Sequence, residues 1–199
     1  MSSVFVISAT KKTDKENNRL WSLVKRQTDC LSQKTAQSIV DYAVYYSADV
    51  IVMEHLDTSK KNRGANKQKI HHLRHKAIWN MVISKAHFLS IRVASINAWG
   101  TSRLAYDGSG RVSRGKEAEL PYSMCKFANG KVYNCDLNAS YNIGARYLIR
   151  QILKPLSVRT RSEVEAKVPQ LTVRSTCTLS DLISLNRALG GVYIVKTAG

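Results

Sequence analysis

The sequence is poor in acidic residues, in proline and in long uncharged hydrophobic runs. Its 199 residues include 14 Asp and Glu against 31 Lys and Arg, so the formal net charge is +17 at pH 7. So basic a chain predicts a nucleic-acid partner, because cationic side chains displace the counterions of phosphates. A membrane surface is the competing partner. We expect none, because no apolar run could span a bilayer and the first residues lack the basic start of a signal peptide.

Cysteine is scarce as well, and its spacing excludes a disulfide framework. The four cysteines are Cys30, Cys125, Cys135 and Cys177. Unpaired spacing of this kind predicts a reduced, cytoplasmic protein. Cys135 is interpreted as a small packed side chain rather than a nucleophile, since no His–Cys arrangement accompanies it. The length suits one domain, or one domain with an appendage.

One carboxylate follows a strand-like run at residues 49–54. Between Asp49 and Glu54 lie four apolar residues, three of them β-branched, which predicts a buried strand. Polar residues follow, so Glu54 falls at the carboxyl end of the strand, where α/β sheets gather their functional side chains. The alternative is a solvent-facing glutamate that opens a loop.

A second carboxylate, Asp136, stands between a short β-prone run and a helical pattern. Ala139, Ile143 and Leu148 continue at helical spacing, so Asp136 is predicted to be the helix N-cap. Held between two rigid elements, such a carboxylate is well placed to bind a divalent cation. The alternative is a plain helix cap.

These two stretches resemble the RuvC-type nuclease domain of the TnpB family, which are transposon-encoded, RNA-guided DNA endonucleases related to type V CRISPR effectors. Ile51 to Leu56 resembles the second acidic motif of the family, and Asp136 to Ile143 resembles the third. Trp99 to Ser102 is similar to the segment that leads into the zinc ribbon of the family. The resemblance runs from about Asn17 to about Arg150.

The resemblance implies an α/β fold, namely an incomplete RNase H-like (RuvC) domain that lacks its first strand. Residues 1–153 would form this partial domain, with a zinc-ribbon-like insertion at about 100–133. Residues 154–199 are expected to be a basic, loosely ordered tail with a final capped helix that starts near Thr178. An exposed sheet edge left by the missing strand would invite association with a second chain that supplies it.

In the ribbon region the sequence departs from the family. Two cysteine pairs bind zinc there, but this chain has Ala105 and Gly108 for the first pair, and Cys125 and Asn129 for the second. A structural zinc site needs four ligands, so we expect no zinc. Turn residues at 107–110 and 128–131 are expected to preserve the hairpins without metal.

The family chemistry implied is hydrolysis of DNA by two Mg²⁺ ions, with Glu54 and Asp136 as catalytic metal ligands and a guide RNA as a further partner. The family uses a third carboxylate in an Asp-x-Gly motif, which does not occur ahead of Glu54. We therefore expect a truncated, catalytically impaired chain. The alternatives are a catalytically dead DNA- or RNA-binding remnant, a subunit completed by another chain, and a ribosome-associated basic protein.

No Asp or Glu occurs between Thr58 and Tyr106. We interpret the cations of its first part as a phosphate-binding surface: Lys60, Lys61, Arg63, Lys67, Lys69, Arg74 and Lys76. On the helix that they enter, one face is expected to comprise Ile70, Leu73, Ala77, Met81, Ser84 and Phe88. His71 and His75 could formally chelate a metal, but no cysteine or carboxylate lies near them.

Upstream, Val4 to Ile7 predicts a short strand, and residues 15–46 predict helix with a break near Ser32. The aromatic side chains of this region are expected in the core or at its rim rather than stacked on bases: Trp21, Tyr42, Tyr45 and Tyr46. Residues 91–96 alternate in polarity and predict a further strand.

Overall fold

A computed structural model describes residues 4–55, 74–97 and 99–191, with side chains from residue 17 onward. The described residues form a mixed α/β structure with small sheets. Its helices are α1 (Val4–Tyr45), α2 (His75–Phe88), α3 (Cys135–Leu153), α4 (Val158–Lys167) and α5 (Leu179–Ala188). Its strands are β1 (Val50–His55), β2 (Arg92–Asn97), β3 (Ser113–Arg114), β4 (Met124–Lys126) and β5 (Val132–Asn134).

The chain divides into two compact units. Residues 1–51 and 57–93 form the first unit, and residues 52–56 and 94–199 form the second. In the first unit α1 packs against α2 through small side chains, with Ala36 and Val40 buried on α1 and Ala86 on α2. Small residues at such a contact allow two helix backbones to approach closely.

Helix α1 corrects two predictions. It begins at Val4, so the strand expected at Val4 to Ile7 is wrong, and it continues without interruption through Ser32. The Ser32 hydroxyl donates a hydrogen bond to the carbonyl of Thr28 at 2.8 Å, and Ser32 is buried. A serine that bonds back to the preceding turn satisfies its own polar group, so it need not end a helix.

The predicted burial of side chains in the first unit is wrong at several positions. Trp21 and Tyr45 are 60% and 79% exposed, so these aromatics are not core residues. On α2 the buried residues are Val82 and Ala86, whereas Phe88, on the face expected from the sequence, is 84% exposed. Apolar residues occur almost all round α2, so helical periodicity alone does not identify its buried face.

The strands predicted at residues 49–54 and 91–96 are confirmed as β1 and β2. β1 and β2 are neighbours in a two-stranded sheet. In the second unit, β3, β4 and β5 form an antiparallel sheet in which Cys125 pairs with Tyr133. The expected turn at residues 128–131 closes the β4–β5 hairpin, with a hydrogen bond of 2.8 Å from the Phe127 N–H to the Lys131 carbonyl.

The segment after residue 153 is not loosely ordered through residue 191. Helices α4 and α5 share an apolar core with α3, in which Ile149, Leu171 and Leu185 are almost fully buried. The predicted helix start at Thr178 is confirmed, since Thr178 and Asp181 form a capping box. These apolar residues lie far apart in the sequence, so their shared core is invisible to a local pattern. Within the described residues, no helix combines the length and apolar character needed to cross a membrane.

Candidate carboxylate site

Glu54 lies near the carboxyl end of β1, as the sequence predicts, and its side chain is half-buried. Its Oε1 accepts a hydrogen bond from the Thr101 hydroxyl at 2.6 Å. Burial lowers the pKa of the nearby Arg146 guanidinium, and the charges of Cys177 and Glu54 offset this only in part. Glu54 is thus an oriented carboxylate beside a cation.

Asp136 is not the helix N-cap. Helix α3 begins at Cys135, and Asn134 is the cap: its Oδ1 accepts hydrogen bonds from the N–H groups of Asp136 and Leu137 at 2.9 and 3.0 Å. Asp136 instead lies exposed in the first turn of α3. A negative charge is stabilised there by the helix dipole, so the position suits a free carboxylate.

Glu54 and Asp136 belong to the same compact unit. Thr101, which holds Glu54, accepts a hydrogen bond at its carbonyl from the Asn142 side chain at 2.9 Å. Asn142 lies on α3 six residues after Asp136, which is about 9 Å along the helix axis. Two side-chain hydrogen bonds therefore connect the Glu54 carboxylate to the helix that carries Asp136. That both carboxylates bind the same Mg²⁺ ions stays a prediction.

A stripe of polar residues on α3, which no sequence argument identified as functional, builds this connection. Asn138 and Asn142 are fully buried, and both donate to the Leu104 carbonyl, at 2.9 and 2.8 Å. The Asn138 Oδ1 accepts the Tyr106 N–H at 2.9 Å. These side chains satisfy the backbone of the loop that contains Thr101.

Arginines continue the stripe at the same four-residue spacing. Arg146 donates to the carbonyls of Trp99 at 2.7 Å and Cys177 at 2.9 Å. Arg150 donates to the Ser95 carbonyl at 3.1 Å. The sequence does contain a signal for this stripe. Polar residues at i, i+4, i+8 and i+12 lie on one face of a helix, and those that are buried require hydrogen-bond partners.

The residues at the positions likened to the cysteines of a zinc ribbon are Ala105, Gly108, Cys125 and Asn129, which include one thiol. Ala105 and Cys125 are fully buried in one apolar cluster, and burial raises the pKa of the Cys125 thiol to about 11. Gly108 adopts φ +81°, and a Cβ there would lie 2.9 Å from the Ser180 hydroxyl, so a cysteine does not fit. Zinc binds thiolates at four positions, and this donor set does not supply them.

A hydrogen-bond network joins the two turns of this region instead. The Asn129 amide donates to Asp107 Oδ2 at 3.0 Å, and the Ser109 N–H donates to Asp107 Oδ1 at 2.9 Å. Burial would raise the pKa of the Asp107 carboxyl, but these hydrogen bonds and the charge of Lys131 lower it below its ordinary value. Asn129, at a family cysteine position, thus has a structural role.

The donors available for Mg²⁺ fit the chemistry of that ion in part. Within the described ranges no cluster of three or more His, Cys, Asp or Glu side chains occurs. Mg²⁺ is commonly held by one or two carboxylates together with waters and substrate phosphates. Glu54 and Asp136 are hard oxygen donors of this kind, and they would leave coordination positions for a phosphate.

The predicted phosphate-binding cations lie mostly outside the described residues: Lys60, Lys61, Arg63, Lys67 and Lys69. Of the remaining two, Arg74 forms an ion pair with Asp29, while Lys76 is exposed on α2. Arg74 therefore already has a protein partner for its charge, and Lys76 is the one of the two that is open to phosphates. The role of the whole set stays a prediction.

No protein-family model and no curated protein matches this chain. Among solved structures it is similar to the Cas12f1 chain in a cryo-EM structure of the Cas12f1–sgRNA–target DNA complex, with 16% identity and a TM-score of 0.47. The alignment covers 72% of this chain and 42% of that chain, so this chain spans less than half of its length. A likeness of this degree does not assign a function.

Proposed function

We propose that this chain binds nucleic acid as part of a TnpB-like, RNA-guided DNA endonuclease, and that its β1–β2 region belongs to an RNase H-like fold. Two features support the proposal. The net charge of +17 favours binding to phosphates. The two stretches that resemble the acidic motifs of the family both place a carboxylate in the second unit.

The hydrogen-bonded path from Glu54 through Thr101 to Asn142 is the observation that carries the proposal. It connects Glu54 to helix α3, which also carries Asp136. Thr101 donates to one oxygen of Glu54, while Asn134 orders the helix turn that carries Asp136. Such support for metal ligands by neighbouring hydrogen bonds is typical of metal sites.

Bound Mg²⁺ would activate water and stabilise the leaving 3′ oxygen of a phosphodiester. Glu54 and Asp136 would hold the ions, and Arg146 would offset part of the negative charge beside Glu54. Glu54 and Asp136 would supply two carboxylates, whereas the site of the TnpB family uses three. We therefore propose that this chain alone binds DNA and metal but cleaves slowly or not at all.

A catalytically inactive nucleic-acid binder is the second candidate function. One observation favours it: Glu54 already has the Thr101 hydroxyl as a hydrogen-bond donor and Arg146 as a nearby cation. A half-buried carboxylate with these partners needs no metal to be stable. The two candidates differ in whether Glu54 binds a divalent cation.

The proposal is tested by metal and DNA titrations of the same variants. Mn²⁺, a spectroscopic substitute for Mg²⁺, is titrated by electron paramagnetic resonance into the full chain, Glu54→Gln, Asp136→Asn and the control Glu163→Gln. Glu163 is exposed and paired with Arg159, so its loss removes the same charge elsewhere. We expect the two site variants to weaken Mn²⁺ binding at least about tenfold and the control to leave it unchanged.

Fluorescence anisotropy with labelled DNA and RNA over a salt series completes the test. Affinity is expected to fall steeply with salt, because each phosphate contact releases counterions. Binding that does not respond to salt would contradict the electrostatic part of the proposal. Equal Mn²⁺ affinity in all four proteins would favour the catalytically inactive binder.

A further inference from the structure

A small cavity in the second unit brings three arginines together. Its volume is about 250 Å³, and its lining comprises Ile96, Asn97, Arg146, Arg150, Arg174 and Ser175. Three guanidinium groups, two other polar residues and the apolar Ile96 thus surround a space below the ~300–1,000 Å³ range of small-molecule pockets. No aromatic side chain lines it, so a nucleobase would find nothing to stack on. The cavity suits a small anion.

Arg146 at this cavity is 5% exposed and not fully paired. Its Nε and Nη1 donate to the backbone carbonyls of Asn97, Trp99 and Cys177. Its Nη2 is buried and has no hydrogen-bond partner among the described residues. A buried charged donor without an acceptor is destabilising, and an anion in the cavity would remove that cost.

The charge around the cavity remains positive when its acids are included. Arg174 is exposed, pairs with Glu165 Oε1 at 2.5 Å and also donates to the Leu171 carbonyl. The exposed Arg150 donates to the Ser95 carbonyl and lies over the Tyr147 ring, 5.6 Å from its centroid. Glu54 lies within electrostatic reach of Arg146. Three cations therefore face two carboxylates, and Arg150 has no acidic partner in the described part of the chain. The imbalance favours an anionic ligand.

We propose that this cavity binds a phosphate group, supplied by a nucleic-acid strand. Planar guanidinium groups match phosphate oxygens with paired hydrogen bonds, which three converging arginines make selective over chloride. The identity of the strand rests on the proposed function, whereas the preference for phosphate rests on the arginines alone. Free inorganic phosphate is the other source of the same chemistry.

The test compares phosphate binding in matched variants of the full chain. Inorganic phosphate is titrated at constant ionic strength with chloride as compensating anion, and binding is followed by the ¹⁵N resonances of arginine side chains and by the melting temperature. We expect saturable binding that shifts the Arg146 Nε resonance. The pair Arg150→Gln with Arg174→Gln should weaken it at least about tenfold, through the loss of two charged hydrogen-bond donors.

Two controls separate the cavity from general charge and from folding. Arg159→Gln removes a cation that is 91% exposed elsewhere in the second unit, so it should leave phosphate affinity unchanged. Glu165→Gln breaks the same ion pair as Arg174→Gln but keeps the cation, so it should bind phosphate as well as the unmodified chain or better. Equal phosphate affinity in the double variant and the Arg159→Gln control would overturn the proposal.

A short single-stranded DNA identifies the source of the phosphate. If the double variant weakens DNA binding about tenfold while Arg159→Gln does not, the nucleic-acid source is supported. If phosphate binding depends on the cavity but DNA affinity does not, the nucleic-acid source is overturned. A chain that binds phosphate here but no DNA or RNA would overturn the proposed function and leave the phosphate cavity standing.

Discussion

Helices α1 and α3 differ in how much of their length is buried. α1 has 42 residues, yet from residue 17 onward it buries only Ser32, Ala36, Val40 and Ala43. α3 has 19 residues and buries ten of them, including two asparagines and an arginine. Helix length therefore says little about how firmly a segment is held. The number and kind of buried side chains decide it, because burial supplies most of the stability of a helix in a protein.

The chemistry of the two buried faces differs as much as their extent. The α1 face is a narrow stripe of small side chains, and its large apolar residues are exposed: Leu20, Trp21, Leu31, Tyr42 and Tyr45. The α3 face mixes apolar side chains with polar ones that bind loop carbonyls. α3 therefore contributes both to an apolar core and to the position of the loop that contains Thr101, whereas α1 contributes one contact surface, packed against α2.

The first prediction tests the unequal burial directly. Ile149→Ala on α3 removes a side chain that is 1% exposed, so we expect the free energy of unfolding to fall by about 2–5 kcal/mol. Leu31→Ala on α1 truncates a side chain that is 64% exposed, and we expect a loss below about 0.5 kcal/mol. Urea unfolding followed by circular dichroism measures both. Similar losses would contradict the contrast between the helices.

The second prediction concerns the polar part of the α3 face. Asn142→Ala removes the side chain that donates to the Thr101 carbonyl, while the Leu104 carbonyl keeps Asn138. We expect a loss of about 1–3 kcal/mol, because a buried hydrogen bond between α3 and this loop is lost. The control is Ser140→Ala. Ser140 lies on the exposed side of the same helix, and its hydroxyl donates to the Leu137 carbonyl.

If Asn142 holds the loop that contains Thr101, its loss should change the mobility of that loop as well as the stability of the protein. The loop that presents Thr101 to Glu54 should loosen, which amide hydrogen exchange at residues 101–106 would report as faster exchange. Exchange that is equally fast in Ser140→Ala and Asn142→Ala would show that the asparagine does not hold this loop.

What the sequence could predict was local. The strands β1 and β2, the turn at residues 128–131 and the capping box of α5 each follow from neighbouring residues. β-branched runs, turn formers and a Thr–Asp pair at N-cap spacing act over a few positions. The position of Glu54 at the end of its strand was predictable for the same reason.

What the sequence could not predict depended on tertiary partners. Helical periodicity does not identify the buried face of α2, because apolar residues surround that helix and packing against α1 selects Val82 and Ala86. The segment after residue 153 read as loosely ordered because its apolar residues are spread out and meet only when α3 joins them. The four-residue spacing of Asn138 and Asn142 indicates that they need buried partners, but which carbonyls they bind depends on the tertiary fold.

The third prediction has the smallest expected effect and concerns the N-terminal caps of α2 and α3. α2 begins after Arg74, which has φ 44° and gives no side-chain cap, whereas the Asn134 side chain accepts two N–H groups at the start of α3. Asn134→Ala should cost about 1 kcal/mol of unfolding free energy, and Asn134→Ser, which keeps an acceptor, much less. Urea unfolding compares the two variants.

The cap bears on the candidate site because one of its hydrogen bonds comes from the Asp136 N–H. Without that bond the first turn of α3 should fray, and the exposed Asp136 carboxylate would lose both its fixed position and the aligned helix dipole that stabilises it. Faster amide exchange at Asp136 and Leu137 in Asn134→Ala, but not in Asn134→Ser, is the expected sign. If both variants exchange alike, the buried Cys135 holds this turn instead, and the cap residue has no part in placing the carboxylate.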